Sequence, residues 1–125
     1  MSIPREQLVL AENIEKGLMY QSHGKEDTII ENPKFWFHDL QDDQLFKGLK
    51  GYCACALGFG LIGRYGSPIK AKEAIKRIQY PVNKRSMITG LGISKGLFDA
   101  VDELHRDKRL SAKQIVNVLR TRSLV

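Results

Sequence analysis

Residues Gly51–Gly63 read G-Y-C-A-C-A-L-G-F-G-L-I-G. The run carries no charge, and its only polar handles are the Tyr52 hydroxyl and the thiols of Cys53 and Cys55. Leu45, Leu49, Tyr52, Ala56 and Phe59 fall at i, i+4, i+7, i+11 and i+14, and Phe46, Cys53 and Leu57 widen that stripe. This is a helical period. The opposite row, Lys47, Gly51, Ala54 and Gly58, begins polar and becomes free of side chains. The pattern predicts one helix, capped at Asp42 or Asp43, that enters from solvent and ends at Arg64-Tyr65-Gly66 with neighbours on every side. Gly48, Gly51, Gly58 and Gly60 each cost about 1 kcal/mol against alanine in a helix interior, about 4 kcal/mol in all. Close approach of another helix to the glycine row is what offsets that cost. A membrane span is excluded by length, because 13 residues fall short of the ~20 needed. On a helix, cysteines two apart diverge and cannot bridge.

Working outward, Leu10, Ala11, Ile14 and Leu18 form one apolar stripe, which places a first helix at about residues 3–21, capped by Ser2 and with Pro4 in its first turn. His23-Gly24 reads as its stop. Lys25–Pro33 is too short and too mixed to assign, and loop, strand and helix all stay open for it, a loop with an extended centre at Thr28–Ile30 among them. Beyond the Asn32-Pro33 turn come three consecutive aromatics, Phe35, Trp36 and Phe37. They cannot all face the core of one helix or one strand, so one at least lies near the surface, between helices or against a partner.

Toward the C-terminus, Ser67-Pro68 opens a helix whose inner face is Ala71, Ala74, Ile75 and Ile78, and Pro81 ends it. Val82–Gly92 reads as a basic connection containing glycine. Ser94 caps a helix with Leu97, Phe98, Val101 and Leu104 inward. Ser111-Ala112-Lys113-Gln114 is a capping box opening the last helix, with Ala112, Ile115, Val116 and Leu119 inward. The fold expected is all-α: a single domain, residues 1–125, with about five helices around a buried Gly/Ala/Cys-rich central helix, little or no sheet, and a C-terminal helical hairpin or helix-turn-helix-like pair.

The net charge of +6 hides a split. Residues 1–43 hold nine acids and four bases, and residues 44–125 hold five acids and sixteen bases. Such asymmetry fits a basic face for a polyanion or contact with an acidic surface; the plain alternative is solvated helix faces. The opening M-S-I-P-R-E-Q has no apolar run of a secretory signal, and free thiols suit a reducing compartment, so a cytoplasmic location is expected, with no membrane partner.

Four constellations could carry function. On the last helix the outward row Lys113, Gln114, Asn117, Arg120 and Thr121 offers side chains that suit base edges, and Lys84, Arg85, Arg106, Lys108 and Arg109 offer phosphate contacts. This points to DNA or RNA binding, although the turn is a residue or so long and lacks the frequent glycine. Thr89–Gly96, T-G-L-G-I-S-K-G, leads into a helix start but lacks the Walker spacing, and an ordinary glycine turn explains it. His38-Asp39 invites comparison with all-α metal-dependent hydrolases, with His23 and Asp99 or Asp102 as further ligands; no second spacing supports it. Cys53 and Cys55 read as small buried hydrophobes, not nucleophiles.

Cys55-Ala56-Leu57-Gly58, followed by G-I-S-K-G-L-F-D-A-V-D-E-L-H-R-D-K-R-L-S-A-K-Q-I-V-N-V-L-R, resembles small uncharacterised bacterial and phage proteins. Those pair a tryptophan and a C-A-L-G helix with a terminal helix–polar turn–helix unit, and Trp36 stands where the tryptophan would. The resemblance implies a helical fold and a microbial or phage source, and brings no activity.

The reading is a small non-enzymatic binding or regulatory protein with no cofactor and no metal. Its first assignment is nucleic-acid binding through the basic C-terminal unit. The alternative is a protein-binding adaptor or inhibitor, such as a phage-encoded modulator of a host protein, using Phe35, Trp36 and Phe37 or the basic face. The third is the metal-dependent hydrolase built on His38 and Asp39. A homodimer is compatible with either binding role.

Overall fold

The computed structural model describes residues 2–23, 28–42 and 51–124. Six α-helices and a small sheet are present among them. Helix α1 (Arg5–His23) is followed by strands β1 (Thr28–Glu31) and β2 (Phe37–Asp39), a 3-10 turn (Leu40–Asp42) and strand β3 (Gly51–Ala54). Helices α2 (Ala56–Tyr65), α3 (Pro68–Lys76), α4 (Lys84–Leu91), α5 (Lys95–Arg106) and α6 (Ala112–Thr121) complete the chain.

The fold is mostly helical, but the all-α expectation is corrected by a three-stranded sheet in the order β1-β3-β2. β3 is central, parallel to β1 and antiparallel to β2, with Ile29 beside Tyr52 on one side and Phe37 beside Ala54 on the other. The expected central helix is therefore split. Its first described turn, Gly51–Ala54, is strand, and only Ala56–Tyr65 is helix. All four β3 residues are buried. A strand covered on both faces shows no alternation, so its apolar run carries nothing to separate it from the buried helix that follows. Gly51 enters β3 at φ 136°, a conformation open to glycine. Asp42 is the last residue of the 3-10 turn, and the start of the expected helix, from Asp43 to Lys50, lies outside the described residues.

The close helix approach expected at Gly51 and Gly58 occurs instead at Gly17 and Gly63. A Cβ on Gly63 would stand 1.7 Å from the Asn13 carbonyl oxygen, and one on Gly17 would stand 2.0 Å from that of Phe59. The two helices thus dock backbone to backbone, each supplying a glycine where the other's carbonyl comes closest. α1 and α2 form the most extensive helix pair of the fold. Gly58 meets something else: its Cβ would lie 1.9 Å from the Trp36 carbonyl oxygen, so this glycine seats the β1–β2 connection, not a helix.

The remaining helices follow their local signals. Ser67, Ser94 and Ser111 accept from the backbone N–H of Lys70, Leu97 and Gln114, and Gln114 completes the capping box on Ser111. Leu97, Phe98 and Val101 on α5 and Ala112, Ile115, Val116 and Leu119 on α6 are buried. The stretch from Val82 to Gly92, expected as a connection, instead contains α4, opened by a capping box between Asn83 and Ser86 and closed by Gly92 at φ 67°. Ile78 falls beyond α3 and is exposed.

The C-terminal pair is not a self-contained hairpin. α6 packs chiefly on α1. Fully buried Gln7 of α1 donates through Nε2 to the carbonyls of Leu119 and Arg122 at 3.2 and 2.9 Å, and its Oε1 accepts from Leu124 N–H at 2.7 Å. One side chain so satisfies backbone groups that the end of α6 leaves without helical partners. No helix among the described residues is long and apolar enough to cross a membrane.

Candidate nucleic-acid interface

The site begins where β3 becomes α2. Cys55 holds the N-cap position in extended conformation and gives no side-chain cap. The cap comes from a distant residue: buried His105 of α5 accepts the Ala56 N–H through Nδ1 at 2.8 Å. An amide N–H only donates, so the ring proton resides on Nε2. That nitrogen faces Glu31 Oε2 at 3.5 Å, and the same carboxylate oxygen accepts from Ala112 N–H at 3.1 Å. The His105 hydrogen bond, opposed by burial and aided by the Ala112 N–H, holds the Glu31 carboxyl below its usual range. β1, α2, α5 and α6 are fastened at this one point, and a carboxylate at the first turn of α6 complements the helix dipole.

Above this floor lies a cleft of about 540 Å³, lined by Glu31, Lys34, Arg106, Arg109, Ser111 and Gln114 among others. The α5–α6 turn shapes its rim. Leu110 N–H returns to the Leu104 carbonyl at 3.0 Å, which requires Arg109 to adopt φ 58°. Left-handed backbone at a residue with a Cβ costs about 1–2 kcal/mol. It turns the chain and leaves Arg109 exposed on the cleft.

A second cleft, of about 270 Å³, adjoins the first and shares Lys34 and Arg106 with it. Its walls include Phe35, Trp36, His38, Tyr80 and Val82. Phe35 and His38 are stacked, with centroids 5.4 Å apart and planes at 20°. Trp36 stands edge-on to Phe98 at 5.5 Å, and its Nε1–H donates to Asp102 at 3.1 Å. The Arg106 guanidinium lies over the Trp36 ring at 5.7 Å and 3.6 Å from Asp102. Beneath, the Tyr80 phenol donates to Asp42 at 2.6 Å, and Lys72 bridges Asp39 and Asp42 at 2.7 and 3.0 Å. Burial, then the bond to Asp42, push Tyr80 up to about 12, so this hydroxyl stays protonated and occupied. Among the described residues lining the aromatic cleft there are cations and no carboxylate.

The structure thus joins parts of the two residue sets proposed from sequence. Arg106, Arg109 and Gln114 line the basic cleft, and Phe35 and Trp36 line the aromatic one. Others fall elsewhere. Lys84 pairs with Asp99, and Arg85 is exposed on α4; neither lines these clefts. Lys108 is exposed on the turn, and Lys113, Asn117 and Arg120 line a further cleft of about 860 Å³ along α6, which shares Leu110, Ser111 and Gln114 with the basic cleft. Arg120 is held by Glu15 of α1 through two bonds of 2.9 and 3.1 Å, and the Gln114 carbonyl oxygen is spent on the capping box. The base-reading row on α6 is therefore partly tied down. Phe37, offered as a partner contact, is 2% exposed and stacks on Tyr52 in the core, where it backs the aromatic cleft.

Lys34 and Tyr80 were missed by sequence reasoning. A lysine directly before three aromatics was the available signal for Lys34, whereas Tyr80 is brought in from the α3–α4 connection by the fold alone. For the metal reading, Asp39 is engaged by Lys72, Asp99 by Lys84 and Asp102 by Trp36. Among the described residues no group of three or more His, Cys, Asp or Glu could hold an ion. The thiol reading fares no better: burial pushes Cys55 up to about 12, and its Sγ faces the Trp36 carbonyl oxygen at 3.7 Å.

No family model, curated protein or solved structure matches the chain.

Proposed function

We propose that the protein binds nucleic acid along the paired clefts, with Lys34, Arg106 and Arg109 facing the phosphates and the aromatic cleft facing bases. The observation that carries this reading is the position of Arg106. It belongs to both clefts and lies over Trp36, so a cationic track and an aromatic wall form one surface. Cations interleaved with aromatic faces suit a polyanion whose charges alternate with flat apolar rings. In this reading Lys34 of the β1–β2 connection, Arg106 of α5, Arg109 of the α5–α6 turn and Gln114 of α6 share the surface. A protein-binding role for the aromatic run has less support, because Phe37 is in the core and the Trp36 N–H is already bonded within the chain.

The test is fluorescence anisotropy with a labelled oligonucleotide over a salt series. Affinity is expected to fall linearly in log–log form, and Arg109→Ala is expected to flatten the slope by about 0.7 to 0.9, the loss of one phosphate contact. Absence of binding at low salt overturns the reading.

A further inference from the structure

We infer that the ligand of the paired clefts is single-stranded, and that the aromatic cleft receives one unpaired base. The inference rests on the nucleic-acid reading above and narrows it. The cleft is lined by the rings of Phe35, Trp36, His38 and Tyr80. Phe35 and His38 already form a stacked pair, which an entering base extends. The Tyr80 hydroxyl is bound to Asp42, and the Trp36 N–H is bound to Asp102. Lys72 lies over the Tyr80 ring and Arg106 over the Trp36 ring, so the stacking partner proposed for a ligand is the Phe35–His38 pair, beside the apolar Val82 and Pro81 and the cations Lys34 and Arg106 at the shared rim.

In a duplex both faces of every base are covered by its neighbours, so no base face is available to such a wall without flipping. A single strand exposes them. The basic cleft adjoins through the same two cations, so the backbone leaving the base passes onto Lys34, Arg106 and Arg109. Because stacking does not depend on base identity, the site is expected to tolerate any sequence.

Anisotropy on the full chain distinguishes the outcomes. The probes are an oligothymidylate and an oligouridylate of about 12 nucleotides and a mixed-sequence duplex of equal length. At one salt concentration, either single strand is expected to bind about tenfold or more tighter than the duplex, and Phe35→Ala to lower single-strand affinity about tenfold while leaving duplex affinity unchanged. His38→Ala, on the other half of the stack, serves as a second variant, and circular dichroism verifies that each is folded. Equal or tighter duplex binding overturns this inference and leaves the nucleic-acid reading standing. Wild-type single-strand affinity in both folded variants also overturns it. Failure of all three probes to bind overturns both readings.

Discussion

The Arg106 guanidinium lies 5.7 Å from the centroid of the Trp36 ring, and the Trp36 indole N–H donates to Asp102, one helical turn before Arg106 on α5. Tryptophan and arginine are 70 positions apart in the chain, yet one carboxylate orients both. The contact fixes the junction of the two clefts.

Arg106→Ala is expected to cost little stability, about 0.5–1 kcal/mol, because an exposed cation over a ring contributes no more than that. Its effect on binding should be larger, since it removes charge from both clefts. Urea titration and oligonucleotide binding on the same variant separate the two. A folded variant with wild-type affinity contradicts the role given to Arg106.

The α1–α2 contact predicts a sharp contrast between two glycines. Gly63→Ala puts a methyl carbon 1.7 Å from the Asn13 carbonyl oxygen, so the helices must separate. A loss of about 3 kcal/mol or more is expected, at or beyond the upper end for overpacking. Gly66→Ala meets nothing within 4 Å but must hold φ 97°, and about 1–2 kcal/mol of backbone strain is expected. Chemical denaturation of both variants checks the order; equal losses would contradict backbone-to-backbone docking.

These two glycines also mark how far the sequence could be read. The apolar period found α2, but the helix contact expected at Gly58 falls at Gly63, and Gly58 meets the Trp36 carbonyl of the β1–β2 connection instead. The same period misread Gly51–Ala54, since a central strand and a buried helix look alike over four residues. The caps at Ser67, Ser94 and Ser111 were legible because they are local; the Asn83–Ser86 box was equally local and was hidden by the basic residues between. The floor of the site was not legible. His105 capping α2 and Glu31 capping α6 join residues 49 and 81 positions apart, and no spacing rule links them.

Glu31 gives a pH dependence with a definite sign. Its folded-state pKa is below the ordinary 4.5, so its hydrogen bonds stabilise the fold above about pH 4.5 and are lost as pH falls through the lower folded value. Glu31→Gln is expected to lower stability at neutral pH and to flatten the fall in stability below that range. His105→Ala leaves the buried Ala56 N–H without its acceptor, at about 1–3 kcal/mol for the orphaned donor plus the lost packing. Thermal melts from acid to neutral pH check both; an unchanged acid limb in Glu31→Gln contradicts the arrangement.

Trp36 is the chain's one tryptophan, and it lines the aromatic cleft beneath Arg106, which both clefts share. Its intrinsic fluorescence therefore reports on the proposed site without a label. Titration with an oligothymidylate at low salt, repeated as salt is raised, is expected to give a saturable change in Trp36 emission whose midpoint moves steeply to weaker binding. An emission that stays constant through the titration, with no binding at low salt, contradicts the nucleic-acid interface.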